Sequence, residues 1–229
     1  MVGTEILIEM NKQKHKPLSP ENYIRTRSRT LPIGNCYINH DWRETGSAMI
    51  NVSRWHINGH ITHATYMVDL YCLGVTEAFW SFNQHPGDFD KFIEHIRSGR
   101  EYNLRFTVAD YPLVHNIIYG AVEFAGEFGI RPHKSFELAK YILEEDDENV
   151  PVIDIEFGFK GKPLFISGPG NTEDKNRVLT HLDKTLGRDN FYFIIDAEAN
   201  EFFKKEFQED DDKIDYHDPE TKKNLSKNF

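Results

Sequence analysis

The sequence predicts an α+β fold, in which antiparallel hairpins pack against a central helical pair and a C-terminal β-β-α-β unit follows. Asn58-Gly59 stands between two strand-like runs, and this dipeptide is the strongest short signal of a β-hairpin turn. The stretch 108–143 carries apolar residues at helical spacing and predicts the helical pair. Although strands and helices alternate along the chain, the hairpins favour antiparallel pairing over a parallel sheet.

The length of 229 residues is enough to bury a sizeable core. We expect a single globular domain at residues 21–196, with a potential sub-boundary near residue 149. A mobile basic arm at residues 1–20 precedes this domain, and Ser19 before Pro20 and Glu21 predicts the cap of a short helical turn at its end. An acidic, largely disordered tail at residues 197–229 follows it, because ten acidic residues and six lysines there accompany few apolar ones.

Composition restricts the class of protein. The formal net charge of −10 argues against a protein whose whole surface follows a nucleic acid backbone. Two cysteines, Cys36 and Cys72, are too few for a disulfide framework or a Cys-based zinc site, and we predict neither a metal nor a cofactor. No apolar run reaches the roughly 18 residues of a membrane span, and no signal peptide is evident. We therefore expect a soluble cytoplasmic protein without membrane association; its oligomeric state is left open.

Basic residues concentrate near the N-terminus, where residues 11–30 hold six basic residues and one acidic residue. The segment 23–39 is interpreted as extended, which would place Arg25, Arg27 and Arg29 on one side of a strand. This basic strip is a candidate surface for RNA or an acidic protein. The alternative is an edge strand kept soluble by its charges.

A two-residue turn at Asn58-Gly59 would pair Arg54 with His63 and Ile50 with Met67. His56, His60 and His63 lie near the predicted tip and resemble metal ligands. Since His60 would point to the opposite face, we do not predict a metal site there.

Helices are predicted in three places after this hairpin. Residues 76–99 indicate a loop followed by a short helix that Asp88 caps. A longer helix would begin at Asp110 and end before Gly129, and a shorter one would follow Ser135. His133 and Lys134 would then flank a helix N-terminus, which is a favourable place for an anion, or simply form part of a tight turn.

The C-terminal third is predicted as a β-β-α-β unit. Its strands are residues 150–157, 162–167 and 191–195, and its helix is capped by Asn171 or Thr172 and ended by Gly187.

Asp69 lies within the apolar run 67–75, where a carboxylate must be paired, hydrogen-bonded or shifted in pKa. A structural hydrogen bond is one explanation. A catalytic site is the other, with Asp69 as base, His115 as proton carrier or metal ligand, and Cys72 as an alternative nucleophile. The helical wheel places His115 at the edge of an apolar face, so a structural role is the competing explanation for it too.

Several segments together resemble a family of bacterial cytoplasmic proteins without an assigned function. The similarity covers roughly residues 20–195 and is carried by YIRTRSRTLPI, YMVDLYCLGV, HNIIYGAVEFA, RPHKSFELAKYILEE and GKPLFISGP. The resemblance implies no catalytic residues.

Two functional hypotheses follow. The leading one is a non-catalytic binding or regulatory protein that engages RNA or an acidic protein through the basic strip, with His133 and Lys134 as anion-binding residues. The alternative is a hydrolase of a phosphate-containing substrate, metal-assisted or dependent on Cys72 and His115, in which Asp69, His115 and His133 converge.

Overall fold

The computed structural model describes residues 17–98, 105–167 and 172–195. Within these residues the helices are α1 (Pro20–Arg27), α2 (Trp42–Thr45), α3 (Pro86–Arg97), α4 (Tyr111–Glu127), α5 (Phe136–Ala139) and α6 (Thr172–Leu186), with 3-10 turns at Ser28–Thr30 and Lys140–Ile142. The strands are β1 (Ile33–Asn39), β2 (Ser47–Trp55), β3 (Ile61–Asp69), β4 (Gly74–Gln84), β5 (Phe106–Ala109), β6 (Leu164–Ser167) and β7 (Tyr192–Ile195). The predicted arm and tail lie almost wholly outside the described residues.

The protein is α+β, and its main element is a five-stranded antiparallel sheet with the strand order β4-β3-β2-β1-β5. We call the face that packs against α4 and α5 the inner face, and the face that packs against α3 the outer face. The inner face holds the largest apolar cluster of the described chain, which includes Ile50, Val52, Ala64 and Tyr66. Across the described ranges, no helix combines the length and the apolar character that crossing a membrane would need.

The β2–β3 hairpin forms at the predicted place, but its predicted register is wrong by one residue. Arg54 pairs with Thr62 and Ile50 with Tyr66. The turn contains an additional residue: the His56 amide donates to the His60 carbonyl at 2.8 Å, and Gly59 adopts a φ of 78°. Because strand residues alternate between faces, this slip moves His63 to the opposite face from Arg54. The outer face consequently receives His63, Thr65 and their neighbours.

The segment before the hairpin is also different from its prediction. Residues 23–29, expected to be extended, belong to α1 and the following 3-10 turn. Ser19 caps α1 by accepting a hydrogen bond from the Asn22 amide at 3.3 Å, as the sequence around Pro20 suggests. Ile24 is the buried residue of this helix, so the helix is held by one apolar side chain and by hydrogen bonds rather than by an apolar stripe.

Residues 76–84, expected to be a loop, form most of β4, the edge strand. The helix after it is capped by His85, whose ring accepts from the Gly87 amide at 3.1 Å, and not by Asp88. This helix, α3, covers part of the outer face, where its apolar residues pack against strand side chains. The buried members of the cluster are Tyr37, Ile61, Phe89, Ile93, Ile96 and Phe106.

The long helix α4 agrees with its prediction at both ends. Asp110 occupies the N-cap position, Pro112 lies in the first turn, and Gly129 follows the helix with a φ of 80°. Close packing against the sheet is visible at Gly74, where an added Cβ would lie 2.9 Å from the Ala121 carbonyl oxygen. The second predicted helix is shorter than expected, because α5 has four residues and continues as a 3-10 turn.

The C-terminal unit is β-α-β and not β-β-α-β. Strands β6 and β7 are parallel and α6 connects them, with Gly187 after the helix as predicted. Residues 150–157 form no strand, because side-chain bonds occupy the backbone: Asn116 donates to the Pro151 carbonyl and accepts from the Ile153 amide. The Gly158 amide then donates to the Leu70 carbonyl, which fixes this segment beside the main sheet.

Candidate ligand-binding site

The three arginines of the predicted basic strip do not form a common surface. Arg29 donates from Nε to the Leu143 carbonyl at 2.9 Å and forms an ion pair with Glu145. The Arg25 guanidinium lies 5.8 Å from the ring centroid of Tyr141. Arg27 is exposed. Two of the three side chains therefore attach α1 and its 3-10 turn to the segment 140–145.

Arg54 also bonds to the segments around Leu31 and Ile142. Its side chain is fully buried, and Nε donates to the Ile142 carbonyl at 2.5 Å while Nη1 donates to the Leu31 carbonyl at 2.6 Å. Nη2 donates to the Glu144 carboxylate at 2.9 Å. The guanidinium thus connects β2 with two separate chain segments, and Glu144 and Glu145 are paired rather than merely solvated.

Asp69 has a structural role in the β3–β4 turn. Its Oδ1 accepts from the amides of Tyr71 and Cys72 at 2.8 and 2.9 Å. Burial nevertheless raises the pKa of this carboxyl to about 6, since desolvation outweighs the backbone hydrogen bonds. Burial also raises the pKa of the fully buried Cys72 thiol strongly, which removes the thiolate that a nucleophile needs.

His115 lies in a different part of the core from Asp69 and Cys72. Its ring is buried between Tyr111 and Tyr119, at centroid distances of 5.6 and 4.7 Å, and burial lowers its pKa. Cys72 packs in the cluster that contains Ala125. Ten residues of α4 separate His115 from Ala125, a rise of about 15 Å, so His115 is out of reach as the base for Cys72.

The side chains of His133 and Lys134 are exposed. The backbone of His133 and the side chain of Ser135 contact β4 at the edge of the main sheet. The His133 amide donates to the Val75 carbonyl at 2.9 Å, and the Ser135 hydroxyl accepts from the Ala78 amide at 2.8 Å. The same hydroxyl donates to His133 Nδ1 at 2.7 Å. These bonds cover part of the free edge of β4, and the four-residue α5 provides no helix terminus of useful length for an anion.

A different group of residues forms a polar network inside the outer face. Asn51, Ser53, His63 and Thr65 are all at most 5% exposed. Asn51 Nδ2 donates to His63 Nδ1 at 3.0 Å and to Thr65 Oγ1 at 2.9 Å. With Nδ1 as acceptor, His63 carries its proton on Nε2 and donates to Gln84 Oε1 at 2.8 Å.

His63 is neutral in this network, and its hydrogen bonds fix the orientation of its ring. Burial lowers the pKa of His63, and the ring lies 4.9 Å from the centroids of both Phe89 and Phe92. Asn51 Oδ1 is buried and has no partner among the described residues. The Gln84 amide nitrogen likewise donates to no residue in the described part of the chain. A buried polar atom without a partner, such as Asn51 Oδ1, is frequent at functional sites.

Beside this network a cleft of about 370 Å³ opens between α3 and the strands β2, β3 and β4. We call it the outer cleft. Its walls combine apolar and aromatic side chains with uncharged polar ones: Met49, His63, Thr65, Phe79, Trp80, Ser81, Gln84, Phe92, His95 and Ile96. Phe79 is 55% exposed at its mouth. The size and the composition match those of small-molecule sites.

The outer cleft is not predicted from the sequence, in which His63 resembles a metal ligand at a hairpin tip. In the described residues no group of three or more His, Cys, Asp or Glu side chains is placed to hold a metal ion. The available signal is the polar residues at alternate positions of two neighbouring strands, Asn51 and Ser53 in one and His63 and Thr65 in the other.

A scan against protein-family models finds no match for this chain, and searches of the curated proteins and of the solved structures find none either.

Proposed function

We propose that the protein is a non-catalytic binding protein and that the outer cleft holds its ligand, a small, uncharged, flat ring compound. The observation that carries the proposal is the polar network that the buried Asn51 and His63 form with the half-buried Gln84 beneath a helix. A sheet face covered by a helix is normally apolar, because every buried polar group must be compensated. Here the network presents a fixed imidazole and a free amide donor to a cavity.

The ligand class follows from the cleft walls. Within the described residues, the wall includes no Asp, Glu, Lys or Arg. A charged ligand would therefore lose its hydration without gaining a counter-charge, which is costly. Phe79 and Phe92 favour a flat ring, since aromatic pairs gain about 0.5–1.5 kcal/mol beyond area burial. The Gln84 amide favours a ring that carries a hydrogen-bond acceptor.

This proposal keeps the binding class that the sequence suggests but moves the binding surface. RNA or an acidic protein as partner of Arg25, Arg27 and Arg29 stays a hypothesis with less support, because Arg29 is bonded internally and Arg25 lies over Tyr141. The hydrolase hypothesis has less support still, because Asp69 and His133 have local hydrogen-bond partners and His115 lies in another part of the core.

The test is a thermal-shift and calorimetric titration with adenine, benzimidazole and indole. We expect at least one of these rings to bind and to raise the melting temperature, since a ligand specific for the folded state adds RT ln(1 + [L]/Kd) to stability. Ser81 lies beside His63 on the outer face, and Ser81→Phe should fill the cleft and abolish binding. Gln84→Met should weaken binding of the two acceptor-bearing rings by about tenfold.

The matched control is Val108→Phe, which adds the same side chain at a 67% exposed position on β5. This variant should bind like the wild-type protein. No binding of any probe at 1 mM (on the order of the weakest affinities worth considering) would contradict the proposal. Equal binding by folded Ser81→Phe protein would contradict it too.

A further inference from the structure

A second cavity, which shares no lining residue with the outer cleft, lies between α2, the β3–β4 turn and the segment 155–160. Its volume is about 380 Å³. The wall contains three aromatic side chains, two cations and one carboxylate: Trp42, Tyr71, Phe159, Arg43, Lys160 and Glu156. We infer that this cavity is a binding site for a small aromatic anion, that is, a ring compound carrying a carboxylate, sulfonate or phosphate.

The aromatic wall is rigidly positioned. Trp42 and Tyr71 are 6% and 7% exposed, and Tyr71 meets Phe159 edge to face at 6.3 Å. Gly46 makes room for this arrangement: a Cβ at this position would lie 2.1 Å from the Tyr71 ring, and its φ of 65° is one that side chains rarely adopt. The Leu70 amide donates to the Gly46 carbonyl at 2.8 Å, which locks the turn against α2.

The two cations are held at the rim by the same aromatic rings. The Arg43 guanidinium carbon lies 4.2 Å from the Trp42 ring centroid, and Lys160 Nζ lies 5.0 Å from that of Phe159. Lys160 and Gly161, with φ of 49° and 75°, form a two-residue turn that the backbone bonds between Phe159 and Lys162 close. This turn presents the Lys160 side chain at the rim.

The charge balance distinguishes this cavity from the outer cleft. Among the wall residues the cations Arg43 and Lys160 outnumber the carboxylate Glu156, and Asp69 is a further carboxylate near Tyr71. The exposed Arg43 guanidinium at the rim can donate a charge-assisted hydrogen bond to an anion. A ring attached to that anion can enter between Trp42, Tyr71 and Phe159. Because aromatic rings already restrain both cations, less side-chain entropy is lost on binding.

The experiment compares indole-3-acetate with its neutral counterpart indole-3-ethanol by calorimetry. Both probes are titrated into wild-type protein and into Ser81→Phe protein, in which the outer cleft is filled. We expect indole-3-acetate to bind the Ser81→Phe protein at least tenfold more tightly than indole-3-ethanol. Its affinity should fall at higher salt, because the rim is exposed to solvent.

The double variant Arg43→Gln/Lys160→Gln should lose at least tenfold in affinity for indole-3-acetate while its melting temperature stays near that of the wild type. Both side chains are exposed, so folding should persist. The control Arg131→Gln/Lys134→Gln removes two exposed cations elsewhere and should bind normally. Equal affinity for the two probes, or equal losses in both double variants, would overturn the inference. Neither result depends on whether the outer cleft binds a ligand.

Discussion

Arg54→Met should destabilise the protein severely. The guanidinium is fully buried and donates to the Ile142 carbonyl, the Leu31 carbonyl and the Glu144 carboxylate. Methionine fills much of the volume but leaves these acceptors without a donor, and each unsatisfied buried group costs about 1–3 kcal/mol. Two of the acceptors are buried backbone carbonyls, whereas the Glu144 side chain is 38% exposed and can be hydrated, so we expect a loss of about 2–6 kcal/mol.

The assay is urea unfolding followed by circular dichroism and by tryptophan fluorescence. For a chain of this length the loss corresponds to a fall of roughly 10 °C in melting temperature. Arg131→Met, at an exposed position, should change the free energy of unfolding by less than about 0.5 kcal/mol. A loss below about 1 kcal/mol in Arg54→Met would refute the argument that this guanidinium joins β2 to the segments at Leu31 and Ile142.

Three further predictions concern the β3–β4 turn, a glycine and the thiols. Because the folded pKa of Asp69, about 6, lies above its usual 3.8, the folded state binds the proton more tightly, so stability should fall as pH rises from about 4 to about 6. Asp69→Asn keeps an acceptor for the turn amides and should remove this dependence of stability on pH. It should raise the free energy of unfolding at pH 7 by at most about 3 kcal/mol. A pH profile of urea unfolding that is unchanged in the variant would contradict this. Gly46→Ala should lower the free energy of unfolding by more than about 2 kcal/mol, because the new Cβ meets Tyr71. Gly126→Ala, whose Cβ meets open space in α4, should raise it by roughly 0.5 kcal/mol. Chemical denaturation compares the two variants, and equal effects would argue against the Gly46–Tyr71 contact. Cys36 and Cys72 are buried, and burial raises the pKa of Cys36 to about 12. Iodoacetamide should therefore label the thiols of native protein only as fast as the protein unfolds. Rapid labelling detected by mass spectrometry would be inconsistent with this burial.

Local signals in the sequence predicted local structure well. Ser19 before Pro20 indicated the cap of α1, and Asp110, Pro112 and Gly129 indicated the limits of α4, because each of these residues satisfies a backbone requirement within one turn. The position of the β2–β3 hairpin followed from Asn58-Gly59 for the same reason.

Features set by tertiary contacts could not be predicted in this way. Turns of two or three residues suit Asn58-Gly59 equally well, and the core on the inner face selects the observed register. Alternating arginines at residues 25–29 suggested a strand, yet attachment to Tyr141, Leu143 and Glu145 stabilises a helix and a 3-10 turn. Residues 150–157 have the composition of a strand, but Asn116 occupies their backbone groups instead.

The outer cleft was hidden for a related reason. Its residues come from β2, β3, β4 and α3, which are far apart in the chain, and none of them forms a recognisable motif. The predicted register, wrong by one residue, places His63 and Thr65 on the face of Arg54 and so separates them from Asn51 and Ser53.

The most direct test of the central claim is an NMR titration that observes the ring nitrogens of His63 and the side-chain amide of Gln84. Adding the tightest-binding neutral ring should shift the Gln84 amide and His63 Nε2 signals in saturable fashion, with the signals of His115 unchanged. Shifts confined to other regions, or no saturable change at His63 and Gln84, would contradict the proposal that the outer cleft is the binding site.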